Sequence, residues 1–358
     1  MTLAARRFAA LVIAVALVGA AIGIRAVLDD DGSGGTGSSS DAPLRLLCAR
    51  ELAVACDDLA SRTDVRVTIA SEGDTVATLS GVADADLAGL GYDGWLTFER
   101  DAQIVRDARE RAALRPAVGV ATDPIGRSPL VLAVWDDRAS VLAQSCGEVD
   151  WRCLGDVAGT RWDSIGGDVR WGAVKPGHAD PADHGDGLAV IGQAATQFLG
   201  RPDPSRDDYA DDAFLEWFGR LERAVPGGLT AAASPFERML TAGPAAYDAV
   251  GTHEAEAGPL LARAAGDRRD QVRLLYPAPV ATLDVVYAPL AGARRADALR
   301  ETVTGDDGRG ALARAGWRVA GEDRARGIPS APNLPDTSNL PDAGSLVALL
   351  ETWREITG

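Results

Sequence analysis

The sequence predicts an α/β protein of two lobes, each a mainly parallel sheet flanked by helices. Three observations carry that expectation. Short apolar runs alternating at every second residue give way repeatedly to runs with helical spacing. That exchange recurs from Leu44 to about Val286, the pattern of strands joined by crossover helices. The chain has 358 residues, more than one hydrophobic core ordinarily serves.

Composition narrows the class. Lys and Arg number 36 against 52 Asp and Glu, a formal charge of −16, with 46% hydrophobic and 25% charged residues. Such a mixture folds rather than staying disordered. Acidity and only 3 His argue against a general nucleic-acid binder and against a multi-histidine metal enzyme.

The chain opens with Arg6 and Arg7, then an uncharged apolar run from Phe8 to Ile24 that Arg25 to Leu28 can extend. This predicts a membrane anchor or signal segment over 1–28, the preceding positive charge favouring an N-in orientation. Cleavage as a signal peptide is the competing reading, and both place the rest of the chain outside the cytoplasm, anchored or secreted. A Gly- and Ser-rich tether fills 29–42. The four cysteines, Cys48, Cys56, Cys146 and Cys153, suit an oxidising compartment. They permit three pairings, of which proximity favours 48 with 56 and 146 with 153; zinc is the alternative, against the C-x₂₋₄-C spacing of structural sites.

Leu44–Leu47 reads as a strand, Arg50–Leu59 as a helix and Val65–Ile69 as a second strand. A third strand lies in 92–98, followed by a surface helix ending before Pro116. Leu130–Val134 is a strong strand and Arg138–Gln144 a helix, with a shorter helix from Asp150. The run 169–177 reads as a strand entering a turn, and 188–198 as a helix with Leu188, Ile191, Ala195 and Phe198 on one face. Helices follow at Asp212–Val225 and Phe236–Leu240, a strand at Ala246–Val250 and a helix at Glu254–Ala265. Strands at Val272–Leu275 and Thr282–Val286 flank a proline-bearing turn. Helices at 294–303, 310–315 and 346–356 end the chain, with the aperiodic loop 328–344 as a surface excursion.

In order, the segments LRLLCAREL (44–52), RSPLVLAV (127–134), DWRCLGDVAG (150–159) and KPGHADPADHGDGLAVI (175–191) resemble the type 2 extracellular, periplasmic-binding-like solute-binding proteins. AAYDAVGTHEAEAG (245–258), YPAPVATLDVVYAPL (276–290) and GRGALARAGWRV (308–319) continue the resemblance. It implies a membrane-tethered receptor whose first lobe is discontinuous: 43–127, then 282–358 after a second lobe at 128–281, the C-terminal helices packing back on the first lobe. It also implies a small solute held between the lobes and a transporter permease or cell-surface protein as partner. Members that bind anions often carry small hydroxyl residues in the first strand–helix turn. Ala49, Arg50 and Glu51 stand there instead, which argues against a simple oxyanion receptor.

Candidate solute contacts follow from strand ends and helix starts, where such folds converge on a pocket. Arg50 can clamp an acidic group, against an ordinary ion pair. Asp74 and Thr75 lie in the turn after the second strand, where Thr75 can equally be a cap. Trp95 offers a platform or core packing, and Arg127 and Ser128 sit at the first crossover. His184, Gly185 and Asp186 stand at a helix start; their surroundings match neither H-E-x-x-H nor a calcium loop, so no metal is expected. Thr252 and Glu254, with His253, begin another helix, and Tyr276 precedes the return crossover. No G-x-S-x-G, P-loop or dinucleotide glycine triad is present. The expectation is therefore a solute-binding protein without cofactor, catalysis or nucleic-acid partner. A membrane-anchored interaction or signalling module is the alternative, and a hydrolase or lyase the lower one.

Overall fold

The computed structural model describes residues 42–227, 234–320, 328 and 331–358. The expected anchor and nearly all of the tether lie outside the described residues. Among the described residues no helix is long and apolar enough to cross a membrane.

Eight strands are hydrogen-bonded together, seven of them along one path: β1 (Leu44–Ala49), β2 (Val65–Ala70), β3 (Gly94–Phe98), β4 (Gly126–Trp135), β5 (Pro176–Gly177), β6 (Ala249–His253), β7 (Val272–Leu275) and β8 (Thr282–Pro289). Their spatial order is β2-β1-β3-β8-β4-β6-β5, with β7 on β4. The path is two sheets sharing one strand. Residues 126–129 of β4 pair with β8, whereas 130–134 pair with β6 and 132–135 with β7. β4 thus leaves the first sheet as it enters the second. The chain returns through the turn between β7 and β8.

Strands linked by helices pair in parallel: β1 with β2 and β3, and β5 with β6. β8 runs against β3 and β4, and β4 against β6 and β7. The sheets are therefore mixed, more antiparallel than strand–helix alternation implies, because both crossover strands run against their neighbours.

Period two explains the layers. In β4, Leu130, Leu132 and Val134 face one buried cluster, and Val131, Ala133 and Trp135 face another with Phe236, Met239 and Tyr247. In β8, Leu283, Val285 and Tyr287 join the first cluster, whereas Val286 and Ala288 meet Trp95 on the outer face of the first sheet. The first cluster runs through both lobes along the crossover.

Several elements differ from the sequence expectation. Val169–Trp171 is a 3-10 turn, its start capped by the Asp168 side chain, and only Pro176–Gly177 is strand. The strand expected at 246–250 lies at Ala249–His253. The Pro- and Asn-rich loop does run over the surface, residues 331–339 being exposed or half-buried, and it is tied down there as a strap. Ser338 Oγ donates to the Thr282 carbonyl at 2.7 Å, Asn339 Nδ2 to that of Val280 at 2.7 Å, and Arg127 Nη1 to that of Pro335 at 2.6 Å. The final helix, Ala343–Thr357, packs on the first-lobe helix Glu99–Arg111 and also on Gly185–Leu199 and Asp212–Arg223 of the second, so it straddles the lobes. Trp353 Nε1 donates to Glu222 Oε2 at 2.8 Å, fixing it there.

Both near-neighbour cysteine pairs are disulfides, Cys48–Cys56 and Cys146–Cys153. Cys48 and Cys56 are wholly buried, whereas Cys146 is exposed. Reductant and alkylating agent applied to the native protein should therefore label Cys146 first, the buried Cys153 more slowly, and Cys48 and Cys56 only after denaturant. Mass spectrometry of the peptides checks this; equal labelling of all four contradicts it.

Candidate functional site

The ends of β1, β2 and β3 in the first lobe meet the segment 180–187 of the second. Ala49 leaves β1 in extended conformation, so Arg50 and Glu51 project across the gap rather than along the sheet. Arg50 Nη1 bonds Asp183 Oδ2 at 2.7 Å. Glu51 Oε1 accepts the backbone N–H of Gly185 at 3.0 Å and faces His184 Nδ1 at 3.2 Å. Gly185 opens the Gly185–Leu199 helix. A first-lobe carboxylate thus sits on a second-lobe helix N-terminus, where unpaired N–H groups and the helix dipole favour an anion. Beside it, Ser71 Oγ and the Gly73 N–H both donate to the Asp183 carbonyl, at 3.1 and 3.3 Å.

Next to these bridges lies a cavity of about 400 Å³. The first lobe lines it with Arg50, Glu51, Val54, Arg314 and Trp317. The second lobe contributes His184, Asp186, Ser234, Glu256 and Leu260. Three donors cluster on its floor: one atom each of Glu51, His184 and Asp186 lie within 4.8 Å of one another. Glu256 is held by the hydroxyls of Ser234 and Thr252.

Crowded carboxyls raise one another's affinity for protons. Burial, with the charges of Glu51 and Glu256, pushes Asp186 up to about 8. Burial and Glu51 push Asp101 up to about 7. Burial, then Asp101 and Glu51, raises Glu72 well above the carboxylate range despite a 2.6 Å hydrogen bond from Thr97. Burial also raises Glu256 and lowers His253 to about 3, leaving that imidazole neutral at pH 7.

These shifts fix the sign of a pH dependence. Above about pH 4 the unfolded chain has released carboxyl protons that the folded cluster keeps until about pH 8, so stability falls as pH rises through that window. The melting temperature without added solute should decline from pH 5 to pH 8, and Asp186→Asn should flatten the decline. A melting temperature constant or rising over that range contradicts the cluster's effect.

The structure brings Arg50, His184, Asp186 and His253 to the cavity and Gly185 to its edge. Thr252 reaches it only through Glu256. The other candidates face elsewhere. Asp74 is exposed, and Thr75 Oγ1 donates to the Ser71 carbonyl at 2.8 Å, within a turn capped by Ser71. Trp95 is wholly buried in the outer core of the first lobe. Arg127 pairs with both oxygens of Asp284 and with the strap, because its place on β4 turns it toward β8. Ser128 Oγ accepts the Ala255 N–H at 2.9 Å at the start of the Glu254–Arg263 helix. Glu254 is wholly buried against Arg318, with both guanidinium bonds at 2.7 Å, and accepts the Tyr276 hydroxyl. Glu51 and Glu256 were missed as contacts. Glu51 adjoins Arg50 in the same turn, and Glu256 stands in the first turn of a helix whose start was marked.

No protein-family model matches the sequence, and no curated protein matches it. Solved structures do match in fold. The fructose-6-phosphate-bound periplasmic binding protein AfuA from Actinobacillus pleuropneumoniae is 13% identical, with a TM-score of 0.57 over 88% of this chain and 97% of that one. A periplasmic thiamin binding protein is 12% identical, with a TM-score of 0.56 over 91% and 100%. Iron-bound HitA from Pseudomonas aeruginosa is 14% identical, with a TM-score of 0.55 over 88% and 100%. At such identities the likeness is one of fold.

Proposed function

From a chain with the two-lobed fold of the periplasmic binding proteins, we propose an extracytoplasmic solute-binding protein that captures a small molecule between its lobes. The observation that carries this reading is the cavity of about 400 Å³ lined from both lobes, within the range of small-molecule sites. The lobes touch through side chains of each at its edge, so a solute there contacts both and favours their closure. The protein acts by binding rather than by turnover. The apolar run at 8–24 tethers it to the membrane, and the two disulfides suit that exterior compartment. Delivery to a membrane permease is the role that joins tether and cavity.

A second reading has one specific observation in its favour: beside the cavity the gap is closed by the protein itself, through Arg50, Ser71 and Gly73 on Asp183. An interaction or signalling module built on the same fold would keep that closure permanently. Thermal shift of the full chain against a broad solute library separates the two, because a ligand that binds the folded form raises its melting temperature. A selective rise, with contraction in small-angle scattering, supports capture. No response from any member favours the module.

A further inference from the structure

We infer that the captured solute is an organic cation, its ammonium or guanidinium head seated on Glu51, Asp186 and Glu256 and its apolar body filling the cavity. This rests on the solute-capture reading and names the chemistry of the same site. The fold's device for holding an anion is already used: Glu51 Oε1 takes the Gly185 N–H at the N-terminus of the Gly185–Leu199 helix. An anionic solute would have to displace that carboxylate from the helix start, beside two further acidic side chains, Asp186 and Glu256.

The remaining capacity of the floor is for a donor. The Glu51 side chain is only 6% exposed, lines the cavity, and its Oε2 has no hydrogen-bond partner among the described residues. A buried carboxylate oxygen left without a donor is costly, and a cationic N–H group brought by a solute satisfies both its charge and its lone pairs. Asp186, buried on the same floor, stands 3.9 Å from His184 Nδ1, the nitrogen that Glu51 Oε1 faces at 3.2 Å, so both acidic side chains converge on one side of the cavity around that imidazole. The arginines of the lining do not cancel this. Arg50 is engaged by Asp183, Arg314 by Asp58, and Arg263 lies exposed at the rim.

Size selects an organic cation over a bare metal ion. About 400 Å³ is an order of magnitude more than a water or a metal ion fills. Val54, Pro235, Leu260 and Trp317 supply apolar surface above the floor, beside the charged Glu237, Arg263 and Arg314.

The test is calorimetry and thermal shift of the full chain with a solute library of cationic, neutral and anionic compounds. The library includes the matched series benzamidine, benzamide and benzoate, with Zn²⁺ as a separate arm. Cationic members should bind and their neutral and anionic counterparts should not. Glu51→Gln keeps an oxygen for the Gly185 N–H while removing the charge, and it should weaken cation binding at least about tenfold. Glu256→Gln, on the other lobe, should do the same independently. Neutral or anionic binders whose affinity survives both substitutions overturn the cation assignment and leave solute capture standing. A response to Zn²⁺ alone overturns the organic head in favour of a metal ion on Glu51, His184 and Asp186. No response from any class removes capture itself, and the assignment with it.

Discussion

Gly73→Ala is expected to hold the lobes apart while leaving each folded. A Cβ at this position would lie 1.9 Å from the Ala182 carbonyl oxygen, 2.8 Å from its carbon and 3.1 Å from Asp183 Cα. All three are backbone atoms of the opposite lobe, so no side chain can rotate away and the lobes themselves must shift. The site of substitution tolerates alanine. Gly73 stands in the first turn of the helix Glu72–Gly81, where Ala is favoured over Gly by about 1 kcal/mol. The expected result is a larger radius of gyration in small-angle scattering and at least tenfold weaker solute binding, with a melting temperature within a few degrees of the parent. An unchanged radius and affinity would show that the contact at Asp183 is not what closes the gap.

Glu254→Gln should have the largest effect on stability. Glu254 is 0% exposed and the Arg318 side chain 2%, and the pair makes two parallel bonds of 2.7 Å. Glu254 begins a second-lobe helix, whereas Arg318 lies beside Arg127, its backbone exchanging bonds of 2.8 and 3.0 Å with that first-lobe residue. Removing the Glu254 charge takes the acceptor of two charge-assisted bonds away from a buried guanidinium, a loss of about 3–5 kcal/mol. For a chain of this size that lowers the melting temperature by roughly 10 °C. Replacing both residues, as Glu254→Leu with Arg318→Met, should cost less than Glu254→Gln alone, because desolvation of both charges is then avoided. A double variant as damaged as the sum of its singles would show two independent contacts instead of a pair.

The alternation of strands and helices was legible because burial on both faces of a strand demands apolar residues at a period of two, as in Leu130–Trp135. Val169–Trp171 alternates too, yet Asp168 caps it into a tight turn, a local polar bond that hydrophobic periodicity does not register. The candidate site was legible as a set of chain positions but not as directions. Arg127 and Ser128 do lie at a crossover, but which way Arg127 points depends on Asp284, 157 residues away. Glu254 and Glu256 share one helical turn. Their phase sends one to Arg318 in the interior and the other to the cavity. Nothing in the local sequence distinguishes them.

β8 lies between β3 and β4, although it is the last strand the chain supplies. During synthesis or export from the amino end, β3 therefore waits with an open edge for almost two hundred residues, with Trp95, Leu96 and Phe98 lacking their covering layer. Such an edge is a template for wrong pairing, and closing it needs contacts far apart in the chain, which are slow to form. A nascent chain halted before Thr282 should thus aggregate or recruit a holding chaperone, whereas one released a few residues past Pro289 can finish its first sheet.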